Sequence, residues 1–386
     1  MHDVAVIGAG PVGILAAGLL AREGLDVAVL ERRATAGGGT RAIGVHAPVL
    51  VALERSGITE RLLDSAVRVG RGEATDGRAT LGVVRFDRLS TRFPFVATLP
   101  QSATEAALAL DAPAPLRQAT VLAVSDRGDH VDVRYSIGGA VREVSARCVI
   151  VATGAWGRDL VFRESGVRVH TYRDRYVMAD VTVGDRPDGE VAVVHLTPGG
   201  VLESFPLPGG RRRFVAWDAV ATGGAIGSDP EASMLAERLR RAMARVGDPA
   251  REHVDTASAF AVRRAVSPAL RRGRVFVIGD AAHEVSPIGG QGMNLGLLDA
   301  ATLVPSLVVW SRTGVAPEPA LQSWERRRIA SARTAARLAA VNTALGRSMG
   351  EAGHRARRVA LRVALAPPLG RAFAHAYAMG LDADSR

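Results

Sequence analysis

A short stretch near the amino terminus constrains the architecture of this chain more than any other. Asp3 to Ile7 is an apolar run of strand length, and Gly8-Ala9-Gly10-Pro11-Val12-Gly13 follows it directly. Helical spacing continues through Ile14, Leu15, Leu19 and Leu20, and a second strand, Asp26 to Leu30, ends at Glu31. Gly8 permits a tight turn, Gly10 lets the backbone approach a pyrophosphate, and Gly13 lets the helix pack on the strand. The helix start, with Pro11 and Val12, presents free N–H groups and a positive dipole end to phosphate. Glu31, with Arg32 beside it, falls where an acid accepts hydrogen bonds from an adenosine ribose. Strand, turn, helix, strand and acid in this order specify a Rossmann-type dinucleotide fold. They leave NAD and FAD both open.

Far downstream a comparable arrangement returns. Arg274 to Ile278 reads as a buried strand running into Gly279-Asp280-Ala281-Ala282-His283. Pro287-Ile288-Gly289-Gly290-Gln291-Gly292-Met293-Asn294 then opens a helix through about Val309. A carboxylate directly after a strand is placed to accept hydrogen bonds from a polyol, such as the ribityl chain of FAD. The helix start can face the pyrimidine end of an isoalloxazine and stabilise its anionic reduced form.

On these residues the chain resembles the para-hydroxybenzoate-hydroxylase-like family of single-component FAD monooxygenases, over essentially its whole length. Gly8 to Gly13 with Glu31 is similar to that family's first fingerprint, and Gly279-Asp280 with Pro287 and Gly289 to Asn294 to its second. Thr40-Arg41-Ala42-Ile43-Gly44-Val45-His46 and Leu99-Pro100-Gln101-Ser102-Ala103-Thr104-Glu105 are similar to two further segments that reach the cofactor. The resemblance implies that Arg41, Gln101 and Asp280 contact FAD. It places Gly290, Gly292, Met293 and Asn294 near the ring through their backbone, and Pro287 on the substrate side. One departure stands out. Where the family usually has Asp-Gly after the strand Cys148 to Ala152, this chain has Thr153-Gly154. Gly154 is still expected to contact FAD, and the resemblance implies NADPH or NADH as reductant.

The implied fold is α/β: a Rossmann-type FAD-binding domain, an antiparallel-sheet substrate domain and a helical C-terminal tail. Residues 1–70, 101–160 and 271–318 are assigned to the FAD-binding domain. Residues 71–100 and 161–270 form the substrate domain, and 319–386 the C-terminal helices. Gln118 to Ser125, His130 to Tyr135 and Val141 to Val151 read as a meander, with turns at Arg127-Gly128-Asp129 and Ile137-Gly138-Gly139. A thioredoxin-like extension, found in larger relatives, is not expected.

Composition narrows the partners. The net charge is +10, and all 49 basic residues are arginine, with no lysine in the chain. The arginines are dispersed and aromatic residues are scarce, which argues against nucleic acid. The density from Arg326 to Arg371 leaves contact with a membrane surface or a carrier protein open. No apolar run spans a bilayer uninterrupted, since Gly296 to Trp310 contains Asp299 and Pro305. Cys148 is the only cysteine, so no internal disulfide forms and no Cys-rich metal site exists; it reads as a small core residue. No metal is expected, and a cytoplasmic location is.

The function implied by the resemblance is insertion of one oxygen atom from O2 into an apolar, aromatic or polyketide-like small molecule. The route is a C4a-hydroperoxyflavin, by hydroxylation or epoxidation. The alternative on the same fold is a flavin-dependent reductase of carbon–carbon double bonds, and a non-catalytic FAD-bound module is a third reading. A halogenase is excluded because it relies on a lysine. Phe205, Pro206 and Arg213 are the candidate substrate residues, Arg213 for an anionic group. His46, His195 and His283 are candidate acid–base residues, each weighed against a structural role, with His283 expected to brace the Asp280 turn. Gly37-Gly38-Gly39-Thr40 is a bendable loop suited to a flavin that swings.

Overall fold

The computed structural model describes residues 1–36, 42–162, 166–218 and 231–385. Buried, β-branched runs build a first sheet in the order Arg271–Arg272, Val275–Val277, Ala140–Val151, His2–Ile7, Val27–Glu31 and Leu116–Arg117. His2–Ile7 lies parallel to both Val27–Glu31 and Ala140–Val151, and Ala140–Val151 parallel to Val275–Val277. Thr120–Asp126 and Val131–Ile137 extend this sheet as the expected antiparallel meander on Ala140–Val151.

A second sheet runs His283–Glu284, Ser258–Val266, His170–Thr182, Arg211–Asp218, Gly200–Leu207, Val191–Thr197, Arg71–Thr75 and Thr80–Arg85. It is antiparallel except where Val191–Thr197 meets Arg71–Thr75 in parallel. Val96–Thr98 joins neither large sheet. It pairs with Gly44–Val45 and Val67–Val69 in a three-stranded sheet of its own.

The helix Gln291–Thr313 is continuous for 23 residues despite Pro305, and Gly314 closes it in the left-handed conformation at φ 75°. By length and apolarity alone it meets the requirement for crossing a membrane, contrary to the expectation that Asp299 and Pro305 would interrupt it. Its apolar face instead covers the first sheet. Phe276 of that sheet meets Trp310 and Trp324 edge to face, at 6.4 and 6.1 Å between centroids. Burying side chains of this size contributes roughly 1.5–3 kcal/mol each.

Helices Glu318–Gly346, Glu351–Leu365 and Leu369–Tyr377 complete the chain. They touch both large sheets. Trp324 lies in the core of the first, whereas Gly346 abuts Val201, and Leu365 fills the space left by Gly82, in the second. Cys148 is buried within the first sheet, where burial pushes its thiol up to about 12 and keeps it inert.

Candidate functional site

The parallel register brings three strand ends to one place, carrying Gly8, Glu31 and Ala152-Thr153-Gly154. Gly8 has φ +104°, and any side chain there would strike the Ala152 carbonyl. A Cβ on Gly13 would collide with the Gly8 carbonyl. Gly10 differs. It caps helix Pro11–Arg22 with φ −77° and no side-chain cap, and a Cβ there would meet nothing within 4 Å. The first-turn N–H groups therefore face open space, the arrangement a pyrophosphate requires.

Glu31 is buried behind this turn. Its Oε2 accepts from the Ala9 N–H at 2.7 Å, and its Oε1 accepts from the Arg33 N–H and Nε at 2.9 Å each. Burial opposes its charge, but the Arg33 and Ala9 hydrogen bonds outweigh burial and hold the carboxyl below the usual range. Arg33 Nη2 also reaches Oε2, at 3.4 Å, the longest of the four contacts and the one a ribose hydroxyl could replace. Arg33, not Arg32, makes the contact to Glu31. Arg32 instead lies 6.0 Å from the ring of Trp156, a largely exposed residue that sequence reasoning passed over, and both line the cavity.

The second motif packs against the first through Val12, which fills the room left by the absent side chains of Gly279 and Gly296. Asp280 is exposed on the cavity wall. Its turn is held by buried Arg158, whose Nη2 donates to the Asp280 carbonyl at 2.8 Å and whose Nε donates to that of Ala281 at 3.2 Å. Gly290, at φ +69°, opens helix Gln291–Thr313 without a side-chain cap, and Pro287, Gly290, Gly292 and Met293 face the cavity. The Pro287 carbonyl accepts the Gly290 N–H at 2.9 Å.

The Asn294 side chain has a different task. Fully buried, it accepts from the His46 N–H at 2.8 Å and donates to the Gly44 and Gly290 carbonyls at 2.8 and 3.0 Å, so its amide is spent on protein. Gln101 opens helix Gln101–Ala109 at the cavity edge, donating to Glu105 at 2.9 Å and accepting from the Ala42 N–H at 3.3 Å. Arg41 and the loop Gly37 to Thr40 lie outside the described residues.

Both motifs open into one cavity of about 1170 Å³ whose far wall is the second sheet. Strand alternation decides what reaches it. Ala192, Val194 and Leu196, with Val201, Glu203 and Phe205, face inward. Pro206 therefore faces away, its carbonyl accepting from Thr98 Oγ1 at 2.8 Å, and it does not line the site. His195 likewise falls on the opposite face, where burial lowers its pKa. Arg213 reaches the cavity but is not available to an anion as expected: Asp180 binds its Nε at 2.6 Å and its Nη2 at 2.8 Å. His46 lines the cavity, and burial holds its imidazole neutral with a pKa of about 4. His283 is fully buried against Asp299, so it braces the Asp280 turn from behind rather than facing substrate.

Glu203 escaped sequence reasoning. It is buried in an apolar wall, and burial pushes its carboxyl up to about 7. The signal was available in Gly200-Val201-Leu202-Glu203-Ser204-Phe205, where an acid occupies an inward position of an alternating strand. Among the described residues no cluster of His, Cys, Asp and Glu is arranged to hold a metal.

Comparison with known proteins places this geometry in context. Residues 1–339 match a protein family described as an FAD binding domain. The chain is 33% identical over 348 residues to 6-methylpretetramide 4-monooxygenase of Streptomyces rimosus, covering 85% of this chain and 59% of that one. It is 29% identical over 330 residues to pentachlorophenol 4-monooxygenase of Sphingobium chlorophenolicum, covering 82% and 60%. The chain thus spans about three fifths of the length of these two relatives. The crystal structure of p-nitrophenol 4-monooxygenase from Pseudomonas putida DLL-E4 superposes with a TM-score of 0.85 at 22% identity, covering 100% of this chain and 98% of that one, which shows a shared fold.

Proposed function

Because the chain belongs to the family of FAD binding domains, we propose that it is an FAD-dependent monooxygenase acting on an apolar, aromatic or polyketide-like small molecule. The observation that carries this reading is the single cavity, with both glycine-rich turns on one side and an apolar sheet on the other. The residues present suit FAD. The uncapped starts of helices Pro11–Arg22 and Gln291–Thr313 both face it, and Gly10 and Gly154 leave open space where a Cβ would intrude. Glu31 would hold the adenosine ribose, Asp280 the ribityl chain, and Gln101 with the 290–293 backbone the ring.

When bound, FAD supplies the electron transfer to dioxygen, with NADPH or NADH as its reductant. The chain's own residues orient and shield. Val194, Val215, Met178 and Phe205 exclude water from the reacting face, which protects a reactive oxygen donor from hydrolysis. Residues 1–70, 101–160 and 271–318 act together as the cofactor unit, and residues 71–100 and 161–270, which carry most of the second sheet, cover the substrate. The activities that the two curated relatives are named for support this reading.

Reconstitution with FAD, followed by NADPH and NADH oxidation under isotope-labelled dioxygen with a panel of phenols and polyketides, tests it. Label in one product oxygen per turnover is expected. Saturation of a substrate double bond without oxygen consumption would replace the proposal with a reductase. FAD bound without turnover across the panel would reduce it to a binding module.

A further inference from the structure

The wall facing the flavin turns is assembled in register: Val194, Glu203, Val215 and Met178 stand side by side on four adjacent strands. Three are apolar and one is a carboxyl. Among the described residues no hydrogen bond or ion pair engages the Glu203 side chain, although that side chain is only 7% exposed. Burying a lone carboxyl is costly, and stability alone does not explain an acid where Leu or Val would serve. One row further, Arg213 is already neutralised by Asp180 in a two-pronged pair. Among the described residues that part of the wall offers a proton acceptor and no uncommitted positive charge.

We infer that Glu203 accepts the proton of a hydroxyl carried by the substrate, and that the substrate is accordingly an uncharged phenol or enol rather than an aromatic carboxylate. The inference rests on the cavity being the substrate site of a monooxygenase. In the step, the hydroxyl O–H breaks and its proton passes to the Glu203 carboxylate. The electron pair stays on the substrate oxygen, leaving a phenolate or enolate opposite a neutral carboxylic acid. The ring gains electron density, which attack on an electrophilic oxygen requires, and no further reagent is consumed.

The surroundings suit this task. A carboxyl titrating near neutrality is matched to exchange a proton with a phenol. Tyr176, from strand His170–Thr182, and Tyr377, from helix Leu369–Tyr377, are the titratable groups that feel the Glu203 charge. Burial first and that charge second push both phenols up, so both stay protonated. Tyr377 donates to Asn342, and the Asp174–Arg347 pair lies beyond Tyr176. On this wall the group left to take a proton is Glu203; His46, on the cofactor side of the cavity, is held neutral with a pKa of about 4 and is the weaker base.

The test uses the FAD-loaded protein and para-nitrophenol, whose colour reports its ionisation, with para-nitroanisole, para-hydroxybenzoate and Glu203→Gln as comparators. Wild type is expected to bind para-nitrophenol about tenfold or more tightly than para-nitroanisole, the weight of a charge-assisted hydrogen bond. Its affinity falls as pH rises above the ionisation of both partners, because two anions would then face each other. In Glu203→Gln the preference near pH 7 falls to that of a neutral hydrogen bond, and the high-pH loss disappears, since an amide can donate to phenolate. Para-hydroxybenzoate binds no better than para-nitroanisole. Parallel pH profiles for wild type and Glu203→Gln, equal affinity of wild type for the phenol and its methyl ether, tighter binding of para-hydroxybenzoate, or no binding of para-nitrophenol would each overturn the inference. FAD content, measured first on both proteins, separates these outcomes from failure of the monooxygenase reading: a chain that does not take up FAD fails there and not here.

Discussion

His283 and Asp299 meet at 2.6 Å, Nε2 to Oδ2, with neither side chain reaching solvent. The same Asp299 oxygen accepts the Gly279 N–H at 3.0 Å, and the other accepts Arg328 Nε at 2.8 Å. Arg328 goes on to Asp382 at 2.8 Å. One buried carboxylate thus joins the turn before Asp280, the core helix and the last residues of the chain. Burial opposes its charge, but His283 and Arg328 outweigh burial and keep it ionised.

Replacing Asp299 by Ala takes one of its buried carboxylates from Arg328, leaves His283 without its partner and removes the brace on Gly279. The expected loss is about 3–5 kcal/mol of stability, as for other broken buried pairs, accompanied by weaker FAD retention. Denaturant titration of the Asp299→Ala protein checks the first and flavin absorbance after gel filtration the second. A protein as stable as wild type would show that the network is structurally idle. The triple change Asp299→Leu, Arg328→Met and Asp382→Asn should recover part of the loss, because Arg328 and both of its buried carboxylate partners are then removed together.

Gly10 and Gly13 should behave differently under the same substitution. Gly13→Ala drives a Cβ into the Gly8 carbonyl and should compromise folding and cofactor binding together. Gly10→Ala meets no protein atom, so stability should shift by about 1 kcal/mol or less, the size of an N-cap change. FAD affinity should nevertheless drop, because the new methyl group occupies the space left for the pyrophosphate. Melting temperature and FAD titration on the two variants decide it. Equal FAD affinity of Gly10→Ala and wild type would move the pyrophosphate elsewhere.

Two buried groups pull the pH dependence of stability in opposite directions. Glu203 keeps its proton in the folded state up to about pH 7, whereas unfolded it loses it near 4.5. Its contribution is complete below that lower value and is lost as pH rises to the upper one. His46 stays neutral when folded down to about pH 4 but protonates below 6.5 when unfolded, so its contribution is lost as pH falls through that range. Each has a slope of about 1.4 kcal/mol per pH unit, and from pH 4.5 to 6.5 they offset. Glu203→Gln should therefore steepen the rise of stability with pH across this window by about that slope. Urea midpoints at several pH values measure it, and parallel curves for the two proteins would refute it.

Arg213 and Asp180 should be coupled. Asp180→Ala leaves buried Arg213 without its principal partner and should cost about 3–5 kcal/mol. Arg213→Ala should cost less, because Asp180 is partly exposed and keeps Arg211 at 3.5 Å, and the double change should cost clearly less than the sum. A double-mutant cycle by chemical denaturation reads the coupling directly. Additive losses would mean that Arg213 is held by something other than Asp180.

Much of the cofactor side was legible because it is local. Strand, Gly8 to Gly13, helix and Glu31 are contiguous, and each residue's task follows from backbone geometry within one turn. The Gly279-Asp280 turn and the Gly290 helix start read the same way. Asn294 shows the limit, since it sits inside the motif yet its amide ties Gly44 and His46 to the helix.

The substrate wall was not legible in the same way. Whether Phe205 or Pro206 faces the cavity depends on strand register, which a slip of one residue inverts. Whether Arg213 is free depends on Asp180, thirty-three residues away along the chain. The sequence by itself determined the dinucleotide fold and where its phosphates go, because short-range sterics and helix dipoles act between neighbours. Tertiary structure alone decided that Glu203 stands by itself in an apolar wall, because burial and ionisation depend on what other segments place against a side chain.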